Sequence, residues 1–433
     1  MTHLPPDHPE RHLLAAEVHA RPYEALATPE RASRIAVLVD DDARERELAH
    51  IALLCERFGA ACPAPEATHV SVRLGSSLRF TWERHGEFSS YTLFVPGRSP
   101  RPFSEPASSF VPADWLAAIP GRTLYAAHAE LIAAGGEAPD PALISGHFDG
   151  SMVVGGEIGD GAAIAHTDFH VRADGYARFL VLDRSLTPRQ AGRMLQRLFE
   201  IDGYRMMALL ALPIARRLTP RILAMERALA ALTEHIGRNE GTDEKLLGEL
   251  TRLAAEVESA LAASQFRFGA SRAYHDLVRT RIAELRERRL PGIQTIDEFM
   301  TRRLAPAMAT CASVSQRLRD LSERVAQASS LLSTRVEIAR ERQNQALLAS
   351  MDRRARLQLR LQQTVEGLSV AAVSYYVVGL VGYAAKALKS GGLSLDPDLA
   401  AGAAIPLVVL LIAWAMHRVR RKLADPLPAA TDG

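Results

Sequence analysis

Three patterns predict an α+β cytoplasmic domain followed by long helices, in a coiled-coil-like stalk, and a C-terminal two-helix transmembrane hairpin. Short alternations of apolar and polar residues between turn signals occur in the first 185 residues, which is typical of strands. No glycine or proline occurs from Ala307 to Glu366, which favours one continuous helix. Two apolar stretches follow. The predicted domains are 1–185 (α+β), 186–366 (helical stalk), 367–416 (transmembrane hairpin) and 417–433 (short basic cytoplasmic tail).

The first domain has the pattern of strands joined by hairpin turns. An amphipathic helix is predicted over 43–58, where Gly59 ends it, and a proline-rich loop over 96–112. Because turn residues separate neighbouring strands, we expect an antiparallel sheet with helices packed on it. The predicted strands are 35–39, 69–74, 78–84, 91–95, 151–157, 162–171 and 176–182.

After Leu186 the sequence indicates helices. Thr187 with Gln190, and Thr295 with Glu298, have the spacing of a capping box. We predict that one helix ends at Pro213 and that the next helix starts at Pro220. In the long helix, apolar residues keep the 4-3 spacing of a coiled-coil seam. The seam residues are Val314, Leu318, Leu321, Val325, Ala328 and Leu332. An apolar series within 242–290 can pack against this seam, so pairing within one chain and pairing between copies both stay open.

The two apolar stretches run from Leu368 to Leu388 and from Leu399 to Met416. As helices they are roughly 31 Å and 27 Å long, enough to cross a hydrocarbon core of about 30 Å. The short connection makes them antiparallel neighbours. Basic residues precede the first stretch and follow the second, so both termini are expected in the cytoplasm. These residues are Arg353, Arg354, Arg356, Arg360, Arg418, Arg420, Arg421 and Lys422.

The beginning of the chain and its composition restrict the compartment and the partners. Residues 1–12 lack the apolar core of a signal peptide, so we expect the large domain to stay in the cytoplasm and the two apolar stretches to make a multi-pass protein with the lipid bilayer as a partner. Lys and Arg number 52 and Asp and Glu number 50, which gives no bulk electrostatic reason to expect nucleic-acid binding. Three scattered cysteines suggest neither a disulfide framework nor a cysteine zinc site.

Three groups of residues are candidate sites. His166, Asp168 and His170 alternate along a predicted strand and therefore share one face, where they can bind a divalent metal ion or simply form a polar outer surface. His19 and Arg21 lie in a predicted loop and can contact an anion or stabilise a turn. Small residues of the first apolar stretch can allow close helix packing or line a narrow pore. These are Gly367, Ala371, Ser374, Gly379 and Gly382. No sequence motif indicates a catalytic residue.

Several strings resemble a bacterial family of membrane-anchored proteins known as domain of unknown function 3422. They are residues 17–22 (EVHARP), 80–85 (FTWERH), 167–169 (TDF), 204–213 (YRMMALLALP), 365–370 (VEGLSV) and 374–376 (SYY). The resemblance extends over nearly the whole chain. It implies a membrane location, and it implies neither an activity nor a catalytic residue.

The overall plan also resembles that of CorA-type divalent-cation channels, which combine a cytoplasmic α/β domain, a long helix and a two-helix hairpin. Those channels carry Gly-Met-Asn at the outer end of the first span, where this chain has residues 379–383 (GLVGY). The sequence therefore favours a non-enzymatic, self-assembling inner-membrane protein with a cytoplasmic ligand- or partner-binding domain. The alternatives are a CorA-like homo-oligomeric ion channel or transporter, and an enzyme that uses a divalent metal ion as cofactor.

Overall fold

The computed structural model describes residues 5, 7–17, 23–135, 141–238, 241–390 and 396–424. The chain forms two compact units, 1–330 and 331–433. The strands are β1 (Glu30–Leu38), β2 (His69–Leu74), β3 (Leu78–Arg84), β4 (Phe88–Pro96), β5 (Arg122–Ala133), β6 (Val154–Ile158), β7 (Ala163–Thr167), β8 (Ala177–Asp183) and β9 (Arg288–Arg289). The helices are α1 (Arg11–Glu17), α2 (Asp41–Arg57), α3 (Ala113–Ala117), α4 (Pro141–Gly146), α5 (Pro188–Leu209), α6 (Ala211–Arg238), α7 (Asp243–Leu285), α8 (Ile296–Arg303), α9 (Ala305–Ser390) and α10 (Pro397–Ala424).

The first unit contains a mixed sheet with the strand order β2-β3-β4-β1-β5-β8-β7-β6-β9. All neighbours pair antiparallel except β5 and β8, which are parallel. The prediction of an antiparallel sheet is therefore wrong at the centre. The sequence patterns missed β5, whose residues read RTLYAAHAELIA, because its alanines obscure the alternation and both of its faces are buried.

The two faces of the sheet are covered by different helices. On one face, Ile51 and Leu54 of α2 pack in a core with Phe80 and Trp82. Asp40 begins α2 by accepting a hydrogen bond from the backbone N–H of Ala43. On the opposite face, α5 packs against β5 and also contacts α7. The sheet is therefore enclosed between α2 and α5.

The helical part of the first unit confirms some predicted boundaries and corrects others. Both capping boxes are present, at Thr187 before α5 and at Thr295 before α8. Pro213 does not end a helix; it lies in the first turn of α6, where its missing N–H costs no intrahelical bond. Pro220 lies inside α6, so the predicted start there is wrong. The long helix is confirmed, since α9 is continuous over 86 residues.

The predicted seam of α9 is buried within a single chain. Leu318, Leu321 and Val325 are each at most 1% exposed. Facing residues of the first unit are equally buried, including Ile222 of α6 and Val257 of α7. Arg317 of α9 donates to Glu226 of α6, and Ser322 of α9 donates to Glu258 of α7. The alternative of packing within one chain therefore accounts for this part of the seam.

In the second unit, the end of α9 lies beside the start of α10, where a Cβ atom added to Gly382 would lie 3.7 Å from Cβ of Ala401. On α9, Ser374 and Ala385 are buried and Gly382 is half-buried. On α10, the least exposed residues recur every three or four positions, as one helix face requires. They are Pro397, Ala401, Ala404, Val408, Ile412 and Met416. Within 368–388 and 399–414, the remaining large apolar side chains are exposed except for four half-buried valines, which are Val370, Val377, Val378 and Val381.

Candidate functional site

The predicted metal ligands His166, Asp168 and His170 do not share one strand face. The predicted strand 162–171 ends at Thr167, and Phe169 adopts a positive φ of 53°, which breaks the alternation. The backbone N–H of His170 donates to Asp168 Oδ1 at 3.2 Å, but its side chain is 72% exposed. Asp168 is fully buried and binds the guanidinium of Arg172.

His166 occupies a buried position on β7. The exposed fraction of His166 is 1%, and neither nitrogen of its ring has a hydrogen-bond partner among the described residues. Burial lowers the pKa of His166 from its ordinary value to about 4, so the ring is neutral near pH 7. No group of three His, Cys, Asp or Glu side chains within the described ranges is arranged to hold a metal ion. The metal site stays a prediction. His19 and Arg21 lie outside the described residues.

A polar cluster that the sequence did not indicate lies on the α2 face of the sheet. Ser33 of β1 and His128 of β5 are hydrogen-bonded, with 2.9 Å between Oγ and Nδ1. The backbone N–H of Ser108 donates to Ser33 Oγ at 3.0 Å, and the ring of Tyr176 stacks on His128. Burial lowers the pKa of His128 to about 4, so its imidazole is neutral.

The Ser33–His128 pair has the chemistry of a nucleophile with its base, but the Ser33 hydroxyl is not accessible to a substrate. Ser33 is completely buried, and Ser108 occupies its acceptor side. A substrate cannot approach the hydroxyl oxygen in this arrangement. The pair therefore holds the loop around Ser108 against the sheet.

Glu130, two residues along β5 from His128, holds another part of the same loop. Its carboxylate accepts hydrogen bonds from the Ser99 hydroxyl and from the backbone N–H of Phe103, the latter at 2.9 Å. The guanidinium of Arg178 lies 5.4 Å from the centre of the Phe103 ring. Because Glu130 is 2% exposed, these bonds compensate its burial. Non-local contacts of this kind leave no short motif in the sequence.

A cavity of about 270 Å³ between α7 and α9 is the candidate ligand site of the first unit. Phe268, Met308 and Cys311 give it a buried apolar wall. Arg272 and His275 also line it and are less buried. Its volume is slightly below the usual range for drug-sized ligands, so it suits a small molecule that is mostly apolar.

The thiol and the imidazole that line this cavity are neutral at pH 7. Burial raises the pKa of the Cys311 thiol and lowers the pKa of His275. A protonated thiol is a weak nucleophile. The cavity therefore favours binding over covalent chemistry.

The small residues of the first apolar stretch fall on two sides of α9. A Cβ atom added to Gly382 would lie 3.7 Å from Cβ of Ala401, in van der Waals contact with α10. Ser374 is buried on the same side. By contrast, Gly367, Ala371 and Gly379 are exposed. Gly382 and Ser374 therefore lie on the less exposed side of α9, and the role of the five residues in packing or in a pore stays a prediction.

A comparison with protein families matches residues 6–423 to a family described as protein of unknown function (DUF3422). The chain belongs to the DUF3422 family. This confirms the resemblance found in the sequence strings, and the match includes both units of the DUF3422 protein.

Other comparisons add no function to the DUF3422 protein. No curated protein and no solved structure matches the chain. The architectural resemblance to CorA-type channels therefore gains no support from known structures.

The DUF3422 protein has two described helices that are long and apolar enough to cross a membrane. The most apolar part of α9 has a mean hydropathy of 1.6, and 11% of it is buried. The corresponding part of α10, within Pro397–Arg418, has a mean hydropathy of 2.4, and none of its residues is buried. Length and composition alone make them candidates for membrane spans.

Proposed function

We propose that this DUF3422 protein is a non-enzymatic protein of the bacterial inner membrane, anchored by α9 and α10, that self-assembles and binds a ligand or partner through its cytoplasmic unit. The observation that carries the proposal is the exposure of the apolar side chains of α9 and α10. Leu368, Leu380, Leu407 and Leu410 are each at least 66% exposed. A helix that is apolar on all sides is stable only in lipid or inside a larger protein.

The flanking charges support an orientation with both termini in the cytoplasm. Arginines cluster before the first span and after the second, while the connecting region has two lysines and two aspartates. Antiparallel packing of α9 and α10 is consistent with one short outer loop. The cytoplasmic unit then contains the sheet, the polar cluster and the cavity between α7 and α9.

Membrane insertion is tested on the full chain by alkaline carbonate extraction of membranes. An anchored protein stays in the membrane pellet, and release into the supernatant would contradict the anchor. Topology is tested with Cys62→Ser as background, since Cys62 is the exposed member of the described free cysteines. A membrane-impermeant maleimide should label Ser390→Cys in intact spheroplasts. It should label Ala429→Cys only after permeabilisation.

Self-assembly is proposed to use the part of α9 between the buried seam and the membrane. Leu347, Met351, Leu361 and Val365 lie within an arc of about 80° on an ideal helix. All four are at least 59% exposed. Copies anchored in one bilayer have parallel helices, so these residues can meet at equal heights. Arg354 lies on the same face, and its charge limits the affinity of one copy for another. Confinement of the copies to one membrane raises their effective concentration and so favours assembly.

The assembly is tested by light scattering of the detergent-solubilised protein, whose single chain has a mass of 47.2 kDa. Leu347→Lys combined with Leu361→Lys should reduce the oligomer to a monomer. Leu348→Lys combined with Leu359→Lys is the matched control, because these exposed leucines lie about 100° or more from the centre of the proposed face. A wild-type monomer, or equal effects of both double variants, would contradict assembly through this face.

A further inference from the structure

Two contacts fix the direction in which α7 and α9 pass along the cavity between them. The hydroxyl oxygen of Ser271 in α7 lies 3.4 Å from the sulfur of Met308 in α9. Further back along α7, Glu258 accepts a hydrogen bond from Ser322, which lies further forward along α9. The two helices are therefore antiparallel, and the side chains before and after Ser271 belong to opposite ends of the cavity.

The two ends of the cavity differ in polarity. Towards one end, Phe268 of α7 and Cys311 of α9 form a buried apolar wall. Towards the other end, Arg272 and His275 line the cavity together with Ala305. Arg272 and His275 are three residues apart, so they lie on one face of α7 and can reach the same group of a ligand. Arg272 is exposed and His275 is half-buried, so the polar end is the one that opens to solvent.

The polar end of the cavity has a positive charge without a counter-charge. None of the described residues that line the cavity is acidic, and Arg272 forms no ion pair with a described residue. Asp276, the acidic residue closest to Arg272 along α7, lines a separate pocket. Burial lowers the pKa of His275, so its neutral imidazole can donate one hydrogen bond without adding charge. This end therefore favours a ligand group that has a single negative charge and accepts hydrogen bonds.

The volume of the cavity sets the size of the ligand. An apolar protein cavity of roughly 150 Å³ holds one benzene molecule, which has six nonhydrogen atoms. At the same density, the volume of about 270 Å³ accommodates about eleven nonhydrogen atoms. A benzene ring with a three-carbon carboxylate side chain has this size.

We propose that the α7–α9 cavity binds a small carboxylate with an apolar body. The inference rests on the proposed function, because it names the class of ligand that the cytoplasmic unit binds. The apolar body packs between Phe268 and Cys311, and the carboxylate accepts hydrogen bonds from Arg272 and His275. A guanidinium can donate two parallel hydrogen bonds to one carboxylate, which gives this pairing both strength and orientation.

The test is calorimetric titration of 3-phenylpropanoate into the full chain in phosphatidylcholine nanodiscs, with the heat from empty nanodiscs subtracted. The neutral alcohol 3-phenylpropanol has the same carbon skeleton. The wild type should bind the acid roughly tenfold or more tightly than the alcohol, because hydrogen bonds between charged groups are stronger than neutral ones. Arg272→Gln should remove this preference. Arg279→Gln is the matched control, since it removes the same charge from α7 at a residue that lines the separate pocket, and it should keep the preference.

A second variant tests where the apolar body lies. Ala309 lines the cavity from an exposed position, so the larger side chain of Ala309→Leu can occupy the cavity without disturbing the buried wall. This variant should weaken the binding of the acid and of the alcohol alike. Unchanged binding of both probes would place them elsewhere and overturn the proposal.

The remaining outcomes separate this inference from the membrane anchor. If the wild type binds neither probe, the ligand site is overturned, while retention in the carbonate-extracted membrane pellet would still support the anchor. Equal affinities for the acid and the alcohol would overturn the role of the carboxylate. Equal losses of preference in Arg272→Gln and Arg279→Gln would show a general effect of charge and would overturn the pairing with Arg272.

Discussion

Arg317 of α9 and Glu226 of α6 form a two-pronged ion pair, with Nη2 2.7 Å from Oε2 and Nε 3.3 Å from Oε1. The pair lies beside Leu318, which is completely buried. A bidentate bond of this kind fixes the rotation of α9 relative to α6. The apolar seam of α9 therefore contributes to the stability of the single chain.

Replacing Leu318 by alanine should destabilise the first unit. The loss of a fully buried leucine costs about 2–5 kcal/mol, because the removed methyl groups leave a cavity. We expect a lower thermal midpoint of the full chain in detergent, with no change in its oligomeric mass. Leu348→Ala is the control, because that side chain is 64% exposed, lies outside the proposed assembly face and should leave the midpoint unchanged. A change of mass with unchanged stability would show that the seam pairs between copies.

Glu130→Gln should loosen the loop that crosses the sheet. An amide oxygen can accept only part of the hydrogen bonds from Ser99 and Phe103, and the new N–H group faces other donors. A buried donor left without a partner costs about 1–3 kcal/mol. Hydrogen exchange of the Phe103 amide should become faster. Glu105→Gln is the control, since its side chain is 56% exposed; equal acceleration in both variants would argue against the role of Glu130.

Local signals predicted the parts of this fold that depend on neighbours in sequence. The capping boxes at Thr187 and Thr295 and the limits of β3 agree with the structure because each depends on a few adjacent residues. The predictions at Pro213 and Pro220 are wrong for different reasons: the first turn of α6 needs no N–H from Pro213, and Pro220 is accommodated inside the helix by its tertiary packing. The alanine-rich β5 was missed because its strand conformation depends on β1 and β8 beside it.

The candidate sites show the same limit. Alternation placed His166, Asp168 and His170 on one face, but the positive φ of Phe169 is a single-residue feature that no periodicity indicates. The Ser33–His128 bond joins residues 95 positions apart and needs the strand order of the sheet. The α7–α9 cavity likewise depends on how two long helices pack.

Stability of the first unit should fall as the pH decreases from about 6.5 towards 4. Burial lowers the pKa of His166 from 6.5 to about 4, so between these values the unfolded chain binds a proton that the folded chain excludes. The associated stabilisation is complete above pH 6.5 and is lost as the pH falls through this window, by up to about 3 kcal/mol. His166→Gln should reduce the dependence of the thermal midpoint on pH in this range, and His128, whose pKa is also lowered to about 4, accounts for part of the slope that remains. A slope as steep in His166→Gln as in the wild type would contradict the assignment.

Enlarging Gly382 should separate the two apolar helices, whereas enlarging Gly379 should not. A Cβ atom at residue 382 would already lie 3.7 Å from Ala401, so Gly382→Ala is tolerated but the branched side chain of Gly382→Leu overlaps α10. No atom lies within 4 Å of a Cβ atom at residue 379 in the described structure, which makes Gly379→Leu a control of equal size and hydrophobicity. We expect a lower thermal midpoint in detergent and faster proteolysis after Lys389 for Gly382→Leu alone. If both leucine variants behave alike, the small residues do not act through contact between α9 and α10.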